Sequence, residues 1–220
     1  MKPHGQKKPK MHCYNEYRID RDDSDFITDR VMMKWFNDKY STSKHLLILY
    51  TIARGLGAKR ILEVGFGRST PVLARAAFEN GGNLLSCDWD DFSYMLTKKE
   101  KKVVDFHFKE VSEIWEKDEG YDMAFLDYFS KSGKKIPYLI EEVENCIKKI
   151  KKNGIVVVHD VFMDKFRIGP AVEQLVKSRH DLEYVVIPFN YGLGIIRCKS
   201  DSKYGIAISP NNLLKKKNTN

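Results

Sequence analysis

Apolar residues recur along the chain at two different spacings. Between residues 25 and 55 they lie three or four positions apart, which is typical of helices, and the polar run 40–43 separates two such helices. From residue 60 onward, short continuous apolar runs alternate with segments of helical spacing. The pattern predicts buried strands at 61–64, 84–87, 103–108, 123–126 and 155–158, and helices at 71–79, 94–101, 136–150 and 172–177.

The last part of this pattern lacks a helix. Two apolar runs, 184–188 and 193–198, are joined only by a short turn, which is typical of an antiparallel hairpin. Strands that alternate with helices lie parallel and are covered on both faces. We therefore expect an α/β fold, a Rossmann-like, doubly wound, mostly parallel seven-stranded sheet with an antiparallel C-terminal hairpin and helices on both faces. The domain is predicted over residues 25–200, between a loose arm (1–24) and a basic tail (201–220).

Composition and length favour a soluble globular protein. The chain has 220 residues, of which 42% are hydrophobic and 31% charged. No apolar run approaches the roughly 18 residues that span a bilayer. The basic N-terminus has no apolar segment behind it, so it does not resemble a secretory signal. We expect a cytoplasmic protein that does not enter a membrane.

The net charge of +8 is concentrated in a few basic runs. They lie in the first ten residues, at 98–102, at 148–152 and at 215–217, and we interpret them as chain ends and solvated helix faces. No basic stripe is interleaved with aromatic residues, so nucleic acid is not the expected partner. The expected partner is a small-molecule acceptor, and the sequence leaves a homodimer open.

Two glycines stand between the first predicted strand and the following helix. Gly65 and Gly67 let the backbone approach a ligand closely, at the N-terminal end of a helix. The dinucleotide fingerprint requires a third glycine where Thr70 stands, and the Gly-Lys-Ser/Thr of a P-loop is absent. Glu63, at the end of the first strand, would repel a pyrophosphate and suits a ligand with an ammonium group.

Acidic residues end three of the predicted strands. Glu63, Asp88 and Asp127 lie at the ends of the first, second and fourth strands. An open α/β sheet binds its ligand at the carboxyl ends of its strands, near the point where the strand order reverses. S-adenosylmethionine (SAM) offers an amino group, a sulfonium and ribose hydroxyls, and it has no phosphate. The stretch therefore indicates a SAM site.

Four segments carry a family resemblance. They are "ILEVGFGRST", "LLSCDW", "YDMAFLDY" and "IKKNGIVVVHD", in this order along the chain. They resemble the strand and loop motifs of class I SAM-dependent methyltransferases. The nearest branch is the small-molecule O-methyltransferases typified by catechol O-methyltransferase, and the resemblance extends over about residues 41–198.

The resemblance implies a cofactor site. Its members are Ser41, Thr42, Glu63, Gly65, Phe66, Gly67, Asp88, Trp89, Glu110 and Asp127. The glycine loop and Glu63 would line the methionine part of SAM. Asp88 would accept the ribose hydroxyls, with Trp89 beside the adenine and Glu110 at its edge. Ser41 and Thr42 would contact the carboxylate of SAM.

The acceptor side of the site is expected after the fifth strand. The resemblance implies that Asp127 faces both the amino group of SAM and the acceptor, and we assign it to catalysis with His159 and Asp160. A histidine, whose ordinary pKa is near ~6.5, can deprotonate an acceptor hydroxyl from a strand end. The alternative is a packed histidine that hydrogen-bonds the loop backbone.

Metal dependence stays open, and we favour metal independence. The catechol branch holds magnesium with two strand-end acids and the asparagine after the second. Here Asp127 and Asp160 match the two acids, but Val161 follows the second one. The branch also has a lysine three residues past the first acid, where this chain has Ser130 and then Lys131.

The resemblance implies a SAM-dependent methyltransferase that acts on a hydroxyl of a small molecule. The segment "LDYF" lacks the two prolines of the amino-methyltransferase tetrad, which argues against adenine or cytosine amino groups as acceptors. One alternative is an aminopropyltransferase on the same fold, which would need a more acidic pocket. Another is a catalytically silent nucleic-acid-binding or regulatory protein.

Overall fold

A computed structural model describes five stretches of the chain. They are residues 26–38, 42–108, 111–115, 120–127 and 135–199. The predicted arm and basic tail lie outside these stretches, and so do four residues named above: Ser41, Glu110, Ser130 and Lys131.

The described strands form a single twisted sheet in the order β3-β2-β1-β4-β5-β7-β6. The strands are β1 (Arg60–Val64), β2 (Asn83–Asp88), β3 (Val104–Phe108), β4 (Tyr121–Leu126), β5 (Ile150–His159), β6 (Leu182–Ile187) and β7 (Leu193–Cys198). The first five strands pair in parallel, and β7 runs antiparallel to both β5 and β6. The predicted fold class is confirmed.

Helices cover both faces of the sheet. They are α1 (Asp29–Phe36), α2 (Leu46–Gly55), α3 (Ser69–Glu79), α4 (Val111–Trp115), α5 (Ile136–Lys149) and α6 (Ile168–Ser178). A 3₁₀ turn, Thr42–His45, leads into α2. Within the described stretches, no helix is long and apolar enough to cross a membrane.

One predicted helix, at 94–101, is wrong. Two short 3₁₀ turns, Ser93–Met95 and Glu100–Lys102, stand there instead, and Leu96 between them is extended. The Thr97 backbone N–H donates to the Glu100 carboxylate at 3.0 Å, and the Glu100 N–H donates to the Thr97 hydroxyl at 3.2 Å. These reciprocal bonds start a new turn at Thr97, which interrupts the helical spacing.

Each face of the sheet has its own core, because successive strand residues point to opposite sides. Ile61 of β1 and Phe125 of β4 pack with α1, α2 and α3. Their neighbours Leu62 and Leu126 pack with α4, α5 and α6. Covering on both faces explains why the parallel strands are continuous apolar runs rather than alternating ones.

The site lies where the strand order reverses. From β1 the chain continues to β2 on one side and returns to β4 on the other. The loops after these strands therefore diverge and leave a crevice at their carboxyl ends. The glycine loop and the predicted acids lie at this edge.

Gly82 is predicted to be intolerant of a side chain. It precedes β2, and a Cβ atom there would lie 2.0 Å from the Lys59 carbonyl oxygen, which also accepts the Asn83 N–H at 2.7 Å. Gly82→Ala should therefore lower the free energy of unfolding by about 1–3 kcal/mol in denaturant titrations.

The matched control is Gly55→Ala at the end of α2, where a Cβ would meet no atom within 4 Å. This change should leave stability unaltered or raise it by up to about 1 kcal/mol, because alanine favours helix. Equal effects of the two substitutions would contradict the packing at Gly82.

Candidate functional site

The glycine loop is fixed by backbone hydrogen bonds. Gly65 has a φ of 100°, a left-handed conformation that favours glycine. Its N–H donates to the Cys87 carbonyl at 2.9 Å, which draws the loop toward β2. The Gly67 N–H donates to the Thr70 hydroxyl at 3.0 Å, which joins the loop to the first turn of α3.

Glu63 lies fully buried beneath this loop. Its carboxylate accepts hydrogen bonds from the hydroxyls of Ser69 at 2.6 Å, Thr70 at 2.7 Å and Ser86 at 2.6 Å. Burial raises the pKa of Glu63 to about 7, against the opposing effect of the three hydroxyls. The carboxylate thus joins β1, β2 and α3, and its predicted contact with the methionine part of SAM stays a prediction.

The serine and threonine partners of Glu63 were not identified as site residues from sequence. The available signal was Ser86, a polar residue inside the otherwise apolar run of β2. A buried polar group requires a partner, and the register of the sheet places Glu63 directly beside Ser86.

Asp88 links the end of β2 to the glycine loop. One carboxylate oxygen accepts the Phe66 N–H at 2.8 Å, and the other accepts the N–H groups of Trp89 at 2.6 Å and Asp90 at 3.2 Å. Burial outweighs the opposing effect of these hydrogen bonds, so the pKa of Asp88 is raised from its ordinary value. The predicted cofactor residues Phe66, Asp88 and Trp89 are therefore neighbours at one edge of the crevice.

Two acids meet a buried histidine on the other side of the loop. His159 Nδ1 lies 3.0 Å from a carboxylate oxygen of Asp127, with which it forms a hydrogen bond, and 3.0 Å from one of Asp160. The Thr42 hydroxyl donates to the second oxygen of Asp127 at 3.1 Å. The side chains are 27% exposed for Asp127, 14% for Asp160 and 1% for His159. Four predicted site residues are thus brought together.

The charge of His159 follows from its partners. Burial by itself lowers the pKa of this imidazole, but the attraction and hydrogen bonding of Asp127 and Asp160 outweigh burial and raise the pKa to about 10. The two acids therefore favour the protonated form of His159. Its partners are carboxylates rather than the loop backbone, and its catalytic role stays a prediction.

A second histidine, His45, lies against His159 and was missed from sequence. It is fully buried, its Nε2 lies 3.2 Å from the Phe189 carbonyl oxygen, and its ring contacts the His159 ring edge-on at 5.0 Å. Burial and the charge of His159 lower the pKa of His45 to about 4, so it is neutral. The available signal was a lone histidine directly before the apolar run that begins α2.

His159 and its two acidic partners form a poor magnesium site. Asp127, His159 and Asp160 each offer one ligand atom, and these atoms lie within 4.8 Å of one another. Magnesium prefers an octahedral set of oxygen atoms, whereas one of the three ligand atoms here is the imidazole nitrogen of His159, toward which both carboxylates point. The donor set does not fit this ion, and we derive no chemical step through it.

Exposed aromatic rings surround the end of β5. Phe162, Phe189 and Tyr191 are each about half exposed. The Phe162 N–H donates to the Tyr191 carbonyl at 2.7 Å, and a Cβ at Gly192 would lie 2.7 Å from the Phe162 ring. The loop after β5 therefore packs on the β6–β7 turn, next to Asp160.

A family model described as a methyltransferase domain matches residues 62–161. This range includes the glycine loop, Asp88, Asp127, His159 and Asp160. No curated protein matches the chain.

Three solved structures illustrate the likeness of fold. A methyltransferase from Podospora anserina bound to S-adenosylhomocysteine (SAH) is 16% identical, with a TM-score of 0.57 over 80% of this chain and 91% of that one. An O-methyltransferase from Bacillus cereus in complex with SAH is 14% identical, with a TM-score of 0.57 over 79% and 92%. An N-methyltransferase from Bradyrhizobium japonicum in complex with SAH is 14% identical, with a TM-score of 0.56 over 76% and 91%.

The buried carboxyl group of Glu63 predicts a pH dependence of stability. Its pKa is raised from 4.5 to about 7 in the folded chain, so the folded state holds a proton that the unfolded state releases. The stability that Glu63 contributes is fully present below pH 4.5 and is lost as the pH rises through about 7. Denaturant titrations should show wild type losing stability between these limits relative to Glu63→Gln, which cannot titrate. A constant difference between the two proteins would contradict the assignment.

Proposed function

We propose that this chain, whose residues 62–161 match a methyltransferase-domain family model, is a class I methyltransferase that transfers a methyl group from SAM to a hydroxyl of a small molecule. The observation that carries the proposal is the partly exposed carboxylate of Asp127, held beside the glycine loop at the point where the strand order reverses. This position suits the ammonium group of SAM and disfavours a phosphate.

The cofactor would lie across the ends of β1, β2 and β4. The Asp127 N–H donates to the Val64 carbonyl at 2.9 Å, which places its carboxylate next to Gly65. Asp88 has lone pairs left for the ribose hydroxyls after its bonds to the loop. The proposal gains support from the SAH bound to the Podospora and Bacillus proteins, since SAH is the product that SAM leaves. Contacts of Ser41 and Glu110 with SAM belong to the proposal as well.

The proposed transfer is a single in-line displacement. The acceptor oxygen would form a bond to the methyl carbon while the carbon–sulfur bond of SAM breaks. The electron pair of the broken bond would stay on sulfur, which gives SAH. Positioning and the neutralisation of the sulfonium charge would provide most of the acceleration. The hydroxyl proton must leave, and the Asp160 carboxylate would accept it.

The acceptor is proposed to be a hydroxyl because a base is at hand. A neutral amine can attack first and lose its proton afterwards, whereas a hydroxyl needs a proton acceptor during the transfer. Protonated His159 would hold Asp127 and Asp160 in place without being that acceptor. The exposed rings of Phe162, Phe189 and Tyr191 offer an apolar surface for the body of a small acceptor.

SAM binding is the first test. Isothermal calorimetry should give a micromolar-range dissociation constant for SAM and for SAH, which corresponds to a binding free energy of roughly −8 kcal/mol. NAD should give no heat of binding. The arrangement of acids disfavours the pyrophosphate of NAD, so NAD binding without SAM binding would overturn the proposal.

Asp160→Asn tests the proton acceptor. An acceptor is first sought in a panel of small phenols and alcohols, with SAM labelled in its methyl group. Loss of the carboxylate should then lower the single-turnover rate by about 10²–10⁴-fold, the range typical of general base catalysis, and leave SAM affinity unchanged.

The control for this prediction is His159→Asn. The asparagine amide keeps an N–H donor near the position of Nδ1 but cannot take up a proton. If His159 only positions the acids, this variant should retain far more activity than Asp160→Asn. If its rate falls as far as that of Asp160→Asn, His159 is the base and the assignment to Asp160 is wrong.

A further inference from the structure

An arginine is buried at the end of the glycine loop. Arg68 directly follows Gly67 and precedes α3, and its side chain is only 7% exposed. Arginine is rarely buried unless its charge is paired, since leaving water costs several kcal/mol without partners. The position of its partners therefore indicates what the residue does.

Three described residues that contact the Arg68 side chain lie in the N-terminal part of the chain. Its guanidinium nitrogen Nη1 contacts the Asp38 carboxylate at 2.5 Å and donates to the Ser43 hydroxyl at 2.9 Å. The guanidinium also lies over the Trp35 ring, 5.4 Å from its centre. Arg68 thus joins the glycine loop to the end of α1 and to the 3₁₀ turn before α2.

The loop end of this connection is held firmly. The neighbours Ser69 and Thr70 both donate to buried Glu63, and Thr70 also accepts from the Gly67 N–H. The backbone that carries Arg68 is thereby fixed on both sides. We infer that the loop determines the position of Ser43, and that Ser43 does not determine the position of the loop.

The connection continues to the proposed cofactor site through one peptide unit. Thr42, which precedes Ser43, donates its hydroxyl to Asp127 at 3.1 Å. Displacement of Ser43 would move Thr42 and weaken this hydrogen bond. We propose that Arg68 is a positioning residue, which keeps the Thr42 hydroxyl on Asp127 and so orients that carboxylate toward the ammonium group of SAM. The inference rests on the SAM function proposed above.

A second arginine, Arg75 within α3, provides a matched control. Arg75 makes ion pairs with Asp29 and with Glu79, and its guanidinium lies over the Tyr50 ring. It therefore joins α3 to α1 and α2, and within the described stretches none of these partners contacts Asp127, His159 or Asp160. A contact that only stabilises the fold should behave like Arg75.

The experiment compares Arg68→Lys with Arg75→Lys, with SAM affinity measured by calorimetry and Tm by scanning calorimetry. Lysine keeps the charge but cannot reproduce the planar fork of arginine. Arg68→Lys should weaken SAM binding about tenfold or more, whereas Arg75→Lys should lower Tm and leave SAM affinity unchanged. Equal SAM affinities for the two variants would overturn the inference.

A double-mutant cycle tests whether Arg68 acts through Thr42. Thr42→Val removes the hydroxyl that Asp127 accepts, and Thr42→Ser should restore SAM affinity. If the inference holds, Arg68→Lys causes little further loss of affinity in the Thr42→Val background, because the contact it maintains is already gone. Fully additive losses would show that Arg68 affects the site by another route.

Two further variants cover the case in which Arg68→Lys does not fold. Asp38→Asn and Ser43→Ala each remove one partner and leave the arginine in place, and both should weaken SAM binding in the same direction. SAM affinities equal to wild type in both would overturn the inference. If wild type does not bind SAM, the proposed function fails. If wild type binds SAM and the Arg68 variant binds it equally well, only the inference about Arg68 fails.

Discussion

The site depends on one buried carboxyl group. Glu63 has no exposed surface and receives three hydroxyl hydrogen bonds, two from the first turn of α3 and one from β2. A buried acid without such partners would be strongly destabilising. Because its donors come from two different elements, the requirement to satisfy this one group sets where α3 begins relative to β1 and β2. The glycine loop lies between these points and has little freedom left.

Polar contacts extend from this fixed loop in two directions. Toward β2, Asp88 accepts the Phe66 N–H, so an acid that could bind a ligand also shapes the loop. Toward the N-terminal helices, Arg68 pairs with Asp38 and Ser43. The apolar cores on the two faces hold the sheet together, whereas these polar contacts arrange the crevice at its edge.

Charge and burial together explain the pKa values of His159, at the end of β5, and of His45, which lies against it. Two neighbouring carboxylates repel each other, and a protonated imidazole between them offsets that repulsion. The pKa of His159 is accordingly raised, while burial and the charge of His159 lower the pKa of His45, which lies against it. Two buried residues of the same type thus differ in pKa because only His159 has carboxylate partners that outweigh the effect of burial.

Apart from α4, which was not predicted, sequence by itself determined the order of strands and helices along the chain, the hairpin, and the acids that end β1, β2 and β4. These features follow from local spacing and turn chemistry, which a single chain segment contains in full. It failed at 94–101, where Thr97 and Glu100 bond to each other's backbone and interrupt the helical spacing.

Only the tertiary structure decided which polar groups meet. Thr42 and Asp127 are 85 positions apart, and Arg68 reaches Asp38 across 30. The same holds for burial: only the structure shows that the start of α3 and Ser86 of β2 cover Glu63. Such pairings depend on strand order and on helix packing, and no local pattern in the chain encodes the partner of a given side chain.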